Sequence, residues 1–346
     1  MIQFFGLHLG ARKAAVTVLA RDLSVSAEVD AQVQNVAADD SSGVLSPPVG
    51  EWVRAGAFAL QEAYFKLPVA QRKVWGFALA GPQGWIALDV EYEPISPLRL
   101  VDDAALPADL ASWLEANPRI ARKIGMVLSP KDYFRFVVSG GLAADVTTAS
   151  RLDLLDPQAS QWSPERVEEK GFLLRWMPPV FDCDVATGRL SEEGIRRTSL
   201  PGGFWLVAGA HETEAACLAA GDIRDGRLWS IARAGAPDLL VVSTPHGAAS
   251  PPPPGWRVVR SPIARQDLLE RESSAAASAA SPGGAVDASG SDELSAAAEE
   301  LTRAGVALRG TVRAAGSPSA GAAALAAISS KLVRGWERYY RDRVVA

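Results

Sequence analysis

A chain of 346 residues, 48% of them hydrophobic, has the material for two modest domains, each with its own core. Its net charge of −5, scattered without long runs of one sign, argues against a nucleic-acid partner, and no apolar stretch reaches the ~18 residues of a membrane helix. Two cysteines, Cys183 and Cys217, make no disulfide framework and predict a reducing, cytoplasmic setting. The start, MIQFFGLHLGARK, places its basic residues after the apolar segment, which is not a secretory pattern. His8, His211 and His246 lie far from one another and from the cysteines, so no metal site is expected.

The pattern opens with three strands, Ile2–Leu9, Ala14–Ala20 and Ser24–Val33, separated by tight turns. Helical spacing of Val53, Ala57, Leu60 and Tyr64 predicts a helix over 51–65. Val74–Ala80 is a continuous apolar strand of the buried kind, and Trp85–Val90 follows after the turn Gly81–Gly84. A long helix is expected over 109–124, then another over 130–139 with Pro130 in its first turn and Gly140-Gly141 as its stop. Asp145–Ser150, small and polar, reads as a loop lining a cleft. Ser163-Pro164 caps a further helix start.

Phe204–Ala210 is a buried strand that turns polar at His211, Glu212 and Thr213 and continues as the small-residue helix EAACLAA, closed by Gly221. A strand that delivers titratable groups to a helix start is a common way to aim chemistry at the edge of an α/β sheet. Beyond it, strands are expected at 227–233 and 239–242. Pro251–Pro254 reads as an extended connector, and Ser273–Gly290 has too little apolar surface to order itself. A helix is predicted over 292–304, a flexible run over 316–321, and a final amphipathic helix over 322–345. Leu325, Ile328, Leu332, Trp336 and Tyr339 form a stripe on it suited to docking or self-association.

Three strands, a helix and a strand form the opening of the α/β ribonuclease-H-like, actin-like ATPase fold. The segments VLSPKDYFRF, ADVTTAS, LDLLDPQASQWS and FWLVAGAHETEAACLAAGDIRDGRL, with GLHLGARKAAV and ALAGPQGWIALD ahead of them, resemble the FGGY carbohydrate kinases of the xylulokinase type, in family order over roughly residues 2–245. The resemblance implies transfer of the ATP γ-phosphoryl group to a sugar or polyol hydroxyl, with Mg²⁺. It implies domains over 1–220 (ribonuclease-H-like) and 221–262 (remnant of a second ATPase half), to which composition and helical spacing add a low-complexity, flexible region over 263–321 with a predicted helix over 292–304, and a terminal helix over 322–346.

Carried over residue by residue, the resemblance places Glu212 at the position of the catalytic base, and Gln83, Asp103 and Asp145 on the sugar side. Gly10, Arg12 and Lys13 fall in the first phosphate turn. It also shows departures. His8 stands where the family has an aspartate serving Mg²⁺–ATP. Ala11 and Arg12 replace a threonine pair, and Val101 and Ala105 replace a tryptophan and an arginine beside Asp103. WSIARAG lacks the threonine and first glycine of the second phosphate loop. Three readings follow. The first is a metabolite- or partner-binding pseudokinase on the sugar-kinase scaffold. The second is an active atypical kinase with Glu212 as base. The third is an interaction module working through the terminal helix.

Overall fold

The computed structural model describes residues 1–39, 43–102, 105–156, 160–220, 227–232, 239–245, 257–261, 266–272, 289–303, 306, 308, 310–315 and 317–330. Its contacts divide the chain into two compact units. The first comprises Met1–Ala215 together with the segment that begins at Pro318, and the second runs from Ala216 to Ser317.

The first unit is built on a six-stranded sheet. Strands β1 (Ile2–Leu9), β2 (Lys13–Ala20) and β3 (Val25–Gln32) form the antiparallel meander that the turn residues predict. Helix α1 (Val49–Lys66) crosses over to β4 (Lys73–Gly81), which lies parallel to β1. The chain then builds a second layer. It contains β5 (Gly84–Leu88), which joins four short strands in a small sheet, and α2 (Leu106–Ala116). The helix expected over 109–124 is in fact two, because Pro118 interrupts the first and opens the short helix Pro118–Ala121. Helix α3 (Pro130–Ser139) matches its sequence signals: Ser129 accepts from the Asp132 N–H, Pro130 takes the first turn, and Gly140 ends it in the left-handed region at φ 71°.

Asp145–Ser150 is not a loop. Asp145 caps a short helix, α4 (Val146–Ser150), by accepting from the Thr147 and Thr148 N–H groups. The unit's last strands are β6 (Ala186–Arg189) and β7 (Trp205–His211), and α5 (Glu212–Ala220) follows β7 directly. The sheet order is β6-β7-β4-β1-β2-β3, so the three central strands β7, β4 and β1 run parallel with their C-terminal ends side by side. His8 on β1 and Ala210 on β7 both pair with Ala80 of β4. The β7–β4 register slips between Val207 and Ala210. At this bulge Gly209 adopts φ 80°, and a β-carbon there would lie 2.0 Å from the Leu79 carbonyl oxygen, so only glycine fits.

The second unit is a five-stranded sheet in which β8 (Arg227–Ala232), β9 (Leu239–Pro245), β10 (Arg257–Ser261) and β11 (Gln266–Glu272) are joined by a later strand. Helix α6 (Ser289–Arg303) precedes that strand, β12 (Gly310–Ala315), which pairs parallel to β8. Leu228, Leu240, Val242, Ala297, Leu301 and Val306 form its core. In place of a remnant over 221–262 followed by a low-complexity 263–321, the described residues from 227 to 315 thus share one sheet and one core. Residues 266–272 (QDLLERE) and 310–315 (GTVRAA) carry no apolar alternation, so their strand character depends on pairing with neighbouring strands. Residues 273–288 lie outside the described residues.

Helix α7 (Pro318–Ser330) returns to the first unit and packs on β1, β2, β4 and β7. The flexible run expected at 316–321 is therefore helical from Pro318 onward. Small side chains let the helix backbone approach closely: a β-carbon on Gly6 would meet the Ser319 oxygen at 1.9 Å, and one on Gly321 the Ala215 oxygen at 1.8 Å. Thr17 and Ser319 exchange a buried hydroxyl hydrogen bond of 2.8 Å. Leu325 and Ile328, the described part of the apolar stripe, are buried within the chain itself, while Leu332, Trp336 and Tyr339 lie outside the described residues. Gly6→Ala is expected to lower stability by roughly 1–3 kcal/mol, the usual cost of overpacking. The urea midpoint at unchanged m reads this loss; a midpoint equal to that of the parent protein would show that α7 does not sit on β1.

Candidate functional site

The parallel ends of β1, β4 and β7 gather the chemistry. Backbone pairing brings His8 and Glu212, 204 residues apart in sequence, within hydrogen-bond reach: His8 Nε2 lies 2.9 Å from Glu212 Oε2. Glu212 is the first residue of α5, where the helix dipole favours a carboxylate. The turn after β1 is tight, with the Gly10 N–H donating to the Lys13 carbonyl at 3.0 Å and the Trp52 indole donating to the Gly10 carbonyl. Lys13 pairs with Asp30 at 3.0 Å, and Arg12 is exposed.

Beneath this edge lies a buried ionic cluster that joins three chain segments. Lys131 Nζ sits 2.7 Å from Asp132 Oδ1 and 2.5 Å from Asp145 Oδ2. Arg135 donates to Asp132 at 2.6 Å, to the Ala143 carbonyl at 2.9 Å, and to the Ala208 carbonyl on the bulged stretch of β7. The Thr147 hydroxyl donates to Asp145 and accepts from the His211 N–H at 2.8 Å, so it ties α4 to the last residue of β7. Arg151 donates to Glu214 at 2.9 Å, with both side chains fully enclosed, and His211 Nδ1 lies 3.4 Å from Glu214.

The electrostatics follow from burial and pairing. Burial alone would raise the Asp145 carboxyl, but the Lys131 ammonium and the Lys131, Thr147 and Thr148 hydrogen bonds outweigh it and bring it down from 3.8 to about 2. Burial likewise opposes ionisation of Glu214, and Arg151 with His211 overcomes it, holding that carboxyl below its ordinary value. Cys183 stands 3.8 Å from Asp145. Burial, reinforced by that carboxylate, pushes its thiol well up, which makes it a packed and unreactive cysteine.

The residues singled out from sequence therefore part company. Glu212 reaches the strand ends and meets His8. Gly10, Arg12 and Lys13 form the adjoining turn, with the Gly10 N–H already taken. Gln83 is buried and donates weakly to the Thr148 carbonyl at 3.4 Å. It lines a cavity of about 40 Å³ whose walls include Trp85, Leu110, Trp162 and Phe172. Asp145 is completely buried and caps α4. Asp103 lies outside the described residues. Sequence reasoning missed Lys131, Arg135, Thr147, Arg151 and Glu214. The available signal was Lys131 and Arg135 at i and i+4 within an otherwise apolar helix, flanking Asp132. Among the described residues no group of three His, Cys, Asp or Glu side chains converges as a metal site, and no helix is long and apolar enough to cross a membrane.

Residues 98–219 match the N-terminal domain of the FGGY family of carbohydrate kinases. The chain is 28% identical over 118 residues to the probable L-xylulose kinase of Pasteurella multocida (strain Pm70), covering 33% of this chain and 24% of that protein. It is 27% identical over 110 residues to the L-fuculokinase of Salmonella typhi, covering 32% and 23%. The match thus spans about a quarter of these relatives' length. Over this segment, about a third of its length, the chain is similar to the N-terminal domain of the FGGY carbohydrate kinases. The fold extends the likeness: a xylulose kinase from Rhodospirillum rubrum superposes with TM-score 0.68 at 16% identity, covering 78% of this chain and 60% of that one. A xyloylose kinase from Brucella ovis superposes with TM-score 0.73 at 17% identity, covering 98% and 97%. The α/β, actin-like architecture expected from the opening strands is the one observed. The family match includes Lys131, Asp145 and Glu212; His8, Gly10–Lys13 and Gln83 precede it.

Sugar kinases of this family use ATP and Mg²⁺. Mg²⁺ demands hard oxygen ligands in near-octahedral array. The ends of β1 and β7 offer an imidazole and a carboxylate bonded to each other, so these residues do not fit the ion.

Lys131→Met leaves Asp145 without its cation in a dry interior, and a loss of roughly 3–5 kcal/mol is expected. Asp145 is depressed in the folded state, so its contribution is complete above about 4 and lost as pH falls through about 2. In the variant that carboxyl rises and acid unfolding, followed by circular dichroism, begins at higher pH. An acid transition identical to the parent's would remove the pair from its central role.

Proposed function

We propose that the protein is a carbohydrate-kinase-like binding protein: an FGGY scaffold that takes a sugar or polyol while ATP-dependent phosphoryl transfer is impaired. The observation carrying this reading is the His8–Glu212 hydrogen bond at the strand ends, where the family resemblance calls for a carboxylate on β1. The altered first turn supports it, since the Gly10 N–H bonds within the turn. Two buried cysteines, neither in a disulfide, are consistent with a reducing, cytoplasmic setting.

One observation favours the alternative of an atypical active kinase. Glu212 keeps a carboxylate, partly exposed, at the start of α5, and His8 is placed to steady it as a general base. The third reading, a partner or self-association surface on the terminal helix, is carried by residues beyond Ser330.

Isothermal titration decides between the first two. A panel of pentuloses, hexuloses and polyols is expected to yield at least one saturable ligand, while Mg·ATP gives no micromolar binding. Micromolar Mg·ATP binding, or sugar-dependent ADP release abolished by Glu212→Gln, would replace the binding role with catalysis.

A further inference from the structure

We infer that the ends of β1 and β7 are closed to Mg²⁺ because His8 and Glu212 satisfy each other. The inference deepens the proposed function, resting on the assignment of this edge as the ligand-facing one, but it concerns the ion alone.

The argument starts from the donor set. Imidazole nitrogen suits borderline transition metals, whereas Mg²⁺ dehydrates reluctantly and takes oxygen. Here the nitrogen and the carboxylate oxygen are 2.9 Å apart and face each other. Their side chains are only 18% and 27% exposed, so their attraction is stronger than in bulk water, and an incoming hydrated ion would have to break it.

Nor do the neighbouring described carboxylates supply replacement oxygens. The nearby acidic groups Glu214 and Asp145 are enclosed and held by Arg151 and Lys131, and no third His, Cys, Asp or Glu completes a cluster among the described residues. The adjoining turn adds the exposed positive charge of Arg12, which repels a cation further, while Lys13 is paired with Asp30. The imidazole is thus the discriminating group. With His8→Asp, two carboxylates would meet at adjacent strand ends, and like charges so placed must share a proton or a cation.

The chain has three histidines, so ¹³Cε1-labelled imidazoles resolve as three signals, and His8 is assigned by the one that His8→Asn removes. Millimolar MgCl₂ is expected to leave the His8 signal of the parent protein unshifted. His8→Asp, but not His8→Asn, is expected to gain saturable Mg²⁺ uptake by isothermal titration, accompanied by proton release. A saturable His8 shift with MgCl₂ in the parent protein overturns the inference even if His8→Asp fails to fold. A folded His8→Asp that takes up no more Mg²⁺ than the parent overturns it as well. Both readouts use the metal alone, so the absence of any sugar ligand would defeat the proposed function and leave this inference standing.

Discussion

The buried ion pair between Lys131 and Asp145 is the constraint on which the first unit depends. Two opposite charges with almost no solvent contact would be costly singly. Together, with Asp132, Arg135 and the hydroxyl of Thr147, they form a closed set in which each charge has a partner. The set is also a joint. Lys131 and Arg135 come from α3, Asp145 and Thr147 from the cap and first turn of α4, and the groups they hold at Ala208 and His211 belong to β7. A helix, a capped turn and a strand end are fixed to one another by polar contacts that tolerate little displacement.

What that joint positions is the strand edge above it. Arg135 grips the bulged stretch of β7 and Thr147 holds the N–H of its last residue, so Glu212 leaves the sheet at a set height and direction. Parallel pairing through β4 brings β1 alongside, and His8 arrives at the same level. The edge is therefore well built. It presents an imidazole bonded to a carboxylate, which is not the all-oxygen set that Mg²⁺ takes.

The packing of α7 shows a second way in which distant segments are made to meet. Glycine and alanine on helix and strand remove the side-chain layer between them, and the backbones approach until a single methyl group would collide. A segment rich in alanine, glycine and serine thus completes the sheet's cover. Composition alone suggests disorder for such a run, because small residues bury little surface in isolation. The burial arises only when a matching flat strand surface with Gly6 is present.

Much of the first unit was legible in the sequence because its signals are local. Alternating and continuous apolar runs define β1, β4 and β7. Ser129 with Pro130 starts α3, and Gly140 stops it. His211 and Glu212 mark a strand giving way to a helix. Capping, turn conformation and periodicity act within a few residues, so the chain carries them wherever it goes. The sequence by itself therefore determined these elements of the first unit and their order. Only the tertiary structure decided that Asp145 is enclosed by Lys131 and lies away from the site edge, that α7 belongs with β1, and that His8 binds Glu212. Each of these is a contact between residues far apart in the chain, set by strand register and close packing, and no local pattern records it.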